Sequence, residues 1–159
     1  MDFPSFCGLT PLTEQNSRTL FSVNNCSVIN YVTFWSRRIT NLEYRLGDQE
    51  QPALADQSVD LVLLSQAPHH AGNPAQALQA AFLTLKPGGR VVVLDLLAHQ
   101  FEQARELYAD QWLGFTEAAL LGLLEEAGFK KAEVEVVSRD EANPVFQTLL
   151  AIGFRAGSN

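Results

Sequence analysis

"DLVLLSQAPHHAGNPAQALQAAFLTLKPGGRVVVLD", residues 60–95, decides the fold. With Val59 in front, its opening "VDLVLL" is a short apolar run of the kind found in strands of parallel sheets that are buried on both faces. "NPAQALQAAFLTL" (73–85) reads as a helix, with Asn73 as N-cap and Pro74 at the first helical position. Its apolar residues Ala77, Leu78, Ala81, Phe82 and Leu85 recur at helical spacing. "KPGG" stops that helix, since Pro87 cannot continue it and Gly88-Gly89 permits a tight reversal. "RVVVLD" is then a second buried strand.

The same alternation extends outward. Upstream, "NLEYRL" (41–46) alternates apolar and polar residues like a half-buried strand and ends at Gly47-Asp48. Downstream, "FEQARELYAD" (101–110) predicts a helix, and "TEAALLGLLEEAG" (116–128) another, with Thr116 as N-cap and Gly128 just past its end. "KAEVEVVS" (131–138) and "VFQTLLAIGFR" (145–155) read as strands. Only "RDEANP" joins them, too short for a parallel crossover, so an antiparallel pair is expected. Strands alternating with helices imply a layered α/β fold.

Composition narrows the class. The chain has 159 residues, enough for one domain with one core, and its 47% hydrophobic content is ordinary for a globular protein. Eleven basic against eighteen acidic residues give a net charge of −7, which argues against nucleic-acid binding, because phosphate contact needs a basic patch. Apolar runs such as Val91–Leu94 are far too short to span a membrane. The start, "MDFPSFCGLTPLTEQ", lacks a basic and an apolar segment in secretory order, so a cytoplasmic setting is expected. Cys7 and Cys26 are read there as free thiols, with one disulfide left open. Residues 1–38 carry a net charge of +1 and residues 39–159 one of −8. This divides the chain into an atypical N-terminal segment, with a candidate strand over "SVINYVTFW" (27–35), and an α/β domain.

A strand ending near an acid, then "DLVLLSQAPHH", a helix, "LKPGGRVVVLD", a helix and a final antiparallel pair resembles a class I S-adenosylmethionine-dependent methyltransferase, over about residues 39–156. "DLLAHQFEQARELYADQWLGFTEAALLGLLEEAGF" (95–129) is similar to the type 11-like subgroup found fused to ArsR-type metal-responsive repressors. The resemblance implies a Rossmann-like methyltransferase fold, here truncated: a mostly parallel sheet with a C-terminal antiparallel strand pair. It also implies S-adenosylmethionine as cofactor and a small-molecule acceptor. Asp48 would contact the adenine amino group, with Gln49 beside it. Ser65, Gln66 and Ala67 would line the methionine side. His69, His70 and His99 would handle the acceptor.

Other readings of these residues stay open. Asp48 also suits a plain Gly-Asp turn, and Asp60 at the start of a strand suits a structural role. A histidine near its neutral-range pKa can serve as a general base. No metal site is expected from "PHH", because adjacent histidines on a strand or helix point apart and spacing places no third ligand. Asp95 and His99 together would orient an acceptor or cap the next helix.

One part of the pattern is absent. The family holds its cofactor with a glycine-rich loop, roughly E/D-x-G-x-G-x-G, after the first strand, and with an acid after the next. No G-x-G occurs in this sequence, and Gly8 and Gly47 alone precede Asp60. The first two β-α units therefore read as missing, which would leave "VDLVLL" with an exposed edge that invites pairing. Residues 27–35 or a second chain are expected to fill it. The chain is then a truncated product, a non-catalytic oligomerising or regulatory module, or a site completed by a homodimer or partner chain. Cofactor binding by the chain alone is expected to be weak or lost.

Overall fold

The computed structural model describes the backbone of residues 19–23, and residues 47–139 and 146–157. Among these, five strands form one sheet: β1 (Thr19–Val23), β2 (Val59–Ser65), β3 (Leu85–Leu96), β4 (Lys130–Arg139) and β5 (Gln147–Phe154), in the order β1-β2-β3-β5-β4. β1, β2 and β3 are parallel, and β5 runs antiparallel to both β3 and β4. Helices α1 (Pro74–Thr84), α2 (Ala104–Leu107) and α3 (Glu117–Glu126) complete it, with a 3-10 turn at Pro68–His70. This is the expected α/β architecture. Among the described residues, no helix is long and apolar enough to cross a membrane.

The edge of β2 is not bare. β1 pairs along it in register, Thr19 opposite Leu61 and Val23 opposite Ser65. The segment taking the place beside β2 is thus upstream of the expected 27–35, which lies outside the described residues, as does 41–46. With that place filled, the argument for a partner chain at this edge loses its premise.

α1 forms where its local signals put it. Asn73 Oδ1 accepts from Gln76 N at 3.3 Å, Pro74 opens the helix, and Ala77, Leu78 and Ala81 are buried. Its C-terminal end is held from far away: Arg155 Nη1 donates to the carbonyls of Phe82 (2.7 Å), Leu83 (3.1 Å) and Leu85 (2.8 Å). A cation there also complements the negative end of the helix dipole. "KPGG" does not precede β3 but bulges within it, since the register with β2 jumps from Val59–Leu85 to Leu61–Arg90. Gly88 takes φ +82°, and a Cβ on Gly89 would lie 2.9 Å from the Lys86 carbonyl oxygen, so both positions need glycine.

The strands bury one face fully and the other partly, which corrects the expectation of burial on both. Val62, Leu64, Val91, Val93, Leu149 and Ala151 are buried, and Leu61, Leu63, Val92 and Leu94 are half-buried. The described helices α1 and α3 pack with the first set, together with Phe129. Strand alternation then puts Asp95 on the same covered face as Val91 and Val93, at the C-terminal end of β3.

The predicted helix over 101–110 shrinks to the single turn of α2. After it Ala109 takes φ +60° and the chain turns inward. Backbone bonds explain this. Phe115 N donates to Leu96 O (2.9 Å), Ala98 N to Phe115 O (2.8 Å) and His99 N to Leu113 O (3.0 Å), so residues 113–115 lie along the continuation of β3. α3 then starts as expected, with Thr116 Oγ1 accepting from Ala119 N at 3.1 Å.

Candidate functional site

The loops after β2 and β3 meet at the C-terminal ends of the parallel strands, where open α/β sheets bind ligands. The loop after β2 carries both histidines. Gln66 turns it at φ +52°, with its N–H donating to Leu94 O at 2.8 Å. Pro68 then starts the 3-10 turn that contains His69 and His70.

His69 faces inward and is only 3% exposed. Its Nδ1 lies 2.5 Å from Oδ1 of Asp95, which has no exposure, and its N–H donates to Asp95 Oδ2 at 3.2 Å. Asp95 therefore partners His69 rather than His99. The other ring nitrogen, Nε2, lies 3.6 Å from Oδ1 of Asp110. His70 Nδ1 lies 3.7 Å from the same oxygen and 3.3 Å from Ala109 O. The two rings sit 4.0 Å apart between centroids, so these adjacent histidines converge instead of pointing apart. Asp110 is 4% exposed, and its Oδ1 has no hydrogen-bond partner.

In the sequence Asp110 only closes the predicted helix over 101–110, and no motif marks it. It reaches the histidines because the 3-10 turn and the inward chain are stitched together. Gln111 N and Trp112 N donate to His69 O at 3.0 and 2.9 Å, and Trp112 Nε1 donates to Ala71 O at 2.9 Å.

His99 lies within electrostatic reach of Asp110 and His69. Its Nδ1 accepts from Phe101 N at 3.2 Å, which leaves the proton on Nε2, a buried atom without a partner. Burial holds its pKa below the usual 6.5. Asp110 pulls it up, His69 pushes it down and Glu102 pulls it up, each less strongly than burial acts.

A second group lies across a cleft of about 460 Å³ lined by Gly47, Asp48, Gln49, Glu50, His70, Ala71 and Gly72. Asp48 Oδ1 accepts from Glu50 N at 2.9 Å, so the residue does serve a turn, and it is exposed at the cleft as well. Gln49 Nε2 donates to Ala67 O at 3.0 Å, which leaves its Oε1 buried and unpartnered. Glu50 Oε1 accepts from Asn73 N at 2.9 Å and ties this loop to the cap of α1. An amino group offered at this end would find acceptors in Asp48 and Gln49, which fits adenine. The structure thus brings Asp48, Gln49 and His70 to one cleft, with the His69 ring against His70, and leaves His99 outside its lining. Ser65 and Gln66 end β2 outside the lining of that cleft. Asp60 forms an ion pair with Lys86, with 3.0 Å from Nζ to each carboxylate oxygen, as its structural reading expected.

A parallel sheet with an antiparallel final strand, and a cleft at its C-terminal ends, defines a Rossmann-like fold of the methyltransferase type. The methyltransferase domain family matches residues 12–93, just over half of the chain, and the chain belongs to it. That match begins well upstream of residue 39 and takes in β1. Over 108 residues, covering 64% of this chain, the sequence is 30% identical to the arsenite methyltransferase of Halobacterium salinarum. The chain spans less than a third of the length of the curated relatives it matches. Among solved structures it is similar in fold to the [4+2]-cyclase SpnF, with TM-score 0.69 and 14% identity, covering 89% of this chain and 67% of that one. It is also similar to phosphoethanolamine N-methyltransferase 2 of Haemonchus contortus, solved with S-adenosylmethionine, with TM-score 0.64 and 12% identity, covering 79% of this chain and 40% of that one.

Proposed function

We propose that this domain binds S-adenosylmethionine with its adenine end against Asp48 and Gln49 and directs methyl transfer to a small-molecule acceptor beside His70. The observation that carries the reading is that Asp48, the orphaned Oε1 of Gln49 and His70 line or border one cleft. When bound, the cofactor supplies an already activated methyl group, so the protein's tasks are to align the acceptor and manage its proton. Asp48 and Gln49 fix the adenine amino group. His70, at the cleft wall, is placed to take a proton from the acceptor. His69, beside His70, is oriented by Asp95, and burial favours the neutral form of His99.

Hold on the cofactor by this chain alone is weak in this reading, because no G-x-G loop lets the backbone approach it. Calorimetric titration with S-adenosylmethionine tests both parts. A dissociation constant on the order of 100 µM or weaker is expected, with further loss in Gln49→Leu and Asp48→Ala. Micromolar binding would overturn the weak-binding part. Binding indifferent to both substitutions would overturn the placement of the adenine.

A further inference from the structure

We propose that His69, His70 and Asp110 form a binding site for a divalent transition-metal ion of the zinc type. The inference rests on side-chain geometry and stands whether or not the neighbouring cleft takes S-adenosylmethionine. With the ion bound, His70 is a ligand and no longer free to take an acceptor's proton, so the two roles of that ring are alternatives.

The three groups come from two segments that are far apart in sequence, and their ligand atoms lie within 4.8 Å of one another. Two of those separations, both to Asp110 Oδ1, are 3.6 and 3.7 Å. Hydrogen bonding does not account for this. With the Nδ1 proton of His69 directed at Asp95, a neutral His69 presents a lone pair at Nε2. That lone pair faces a carboxylate oxygen, which is also an acceptor, an arrangement that a cation between them satisfies. A shared proton is too short for the gap, since an N–H···O bond spans about 2.7–3.2 Å. Four ligands about 2.0–2.1 Å from zinc at tetrahedral angles stand roughly 3.3–3.4 Å apart. The two separations to Asp110 need only a small contraction to meet that spacing. The histidine nitrogens, within 4.8 Å of each other, close on the ion by rotation of the partly exposed His70 ring.

Charge and surroundings agree. Asp95 and Asp110 are both buried, and the described ion pairs of Asp110 come from histidines alone. The charge of two buried carboxylates is balanced by one divalent cation. Asp95 on the far nitrogen of His69 is the outer partner that fixes the tautomer of a metal-bound histidine. Binding through His70 Nδ1 moves that ring's proton to Nε2 and gives up the 3.3 Å contact with Ala109 O, a long and weak bond. Histidine and carboxylate ligands together suit zinc and its neighbours over magnesium or calcium. Three protein ligands leave a position open to water or an acceptor. His99 is not a fourth ligand, because its Nδ1 already accepts from Phe101.

The test is titration of the full chain, stripped with a chelator and free of cofactor, with Zn²⁺ by calorimetry and with Co²⁺ by visible absorption. One ion per chain is expected, with cobalt bands of an N/O site and no thiolate charge-transfer band. Affinity should fall at least tenfold in Asp110→Asn and in His70→Gln, and should persist in the Cys7→Ser/Cys26→Ser double variant. Circular dichroism checks that each variant is folded, and His70→Gln, at a partly exposed position, carries the test if Asp110→Asn is not. No saturable binding at neutral pH would overturn the proposal. So would binding unchanged by folded variants, or binding lost with the cysteines.

Discussion

The imidazole Nδ1 of His69 lies 2.5 Å from Asp95 Oδ1, and both side chains are closed off from solvent. The same carboxylate accepts from the backbone of His69 and of Leu96, so it clamps the 3-10 turn to the end of β3. His69→Ala keeps those backbone donors but leaves a buried carboxylate without its side-chain partner. A loss of roughly 3 kcal/mol is expected. Urea unfolding of the variant checks it, and a loss below about 1 kcal/mol would show the pair to be energetically idle.

His99 makes stability depend on pH. Its pKa is lowered in the fold from 6.5, chiefly by burial. As pH falls below 6.5 the unfolded chain therefore takes up a proton that the folded chain still refuses. Stability from this residue is present above that value and declines as pH drops through the window beneath it. His99→Gln should flatten the decline below pH 6.5, measured by denaturant unfolding in the presence of a chelator. A histidine NMR titration should put the His99 midpoint below 6.5.

Arg155 ties the last described residues to a helix more than seventy positions earlier. Its three carbonyl acceptors cap the end of α1, and its guanidinium carbon lies 4.7 Å from the centre of the Phe82 ring. Arg155→Ala removes both and should cost about 2 kcal/mol. Thermal melting measures the cost. Arg155→Lys should recover only part of it, because an ammonium cannot copy the planar fork.

Gly114 has φ +75°, and a Cβ there would come within 2.6 Å of the Leu97 carbonyl oxygen. Gly114→Ala should destabilise by more than about 1 kcal/mol and push residues 113–115 off the extension of β3. Asp110 would then leave the histidines, so zinc affinity should fall in the folded fraction even though Gly114 touches no ligand. Parallel melting and zinc titration of this variant would show whether the two losses go together.

Several elements could be read directly from local chemistry. Asn73 and Pro74 open α1, Thr116 opens α3, and the antiparallel pair β4–β5 follows from a connection too short for a crossover. Each depends on residues a few positions apart, which is the range over which capping, periodicity and loop length act. Asp48, Gln49 and the histidines were legible as candidates through the resemblance carried by "DLVLLSQAPHH" and "LKPGG". Asp110 was not, since a helical period predicts nothing about a chain that turns inward after one turn.

Tertiary structure alone decided the pairings. It set Asp95 against His69 rather than His99, brought Asp110 to both histidines across some forty residues, and laid Thr19–Val23 along β2 in place of 27–35. Those outcomes turn on which backbone donors and acceptors find partners when loops from different strands are packed together, and no local pattern in the chain encodes that competition.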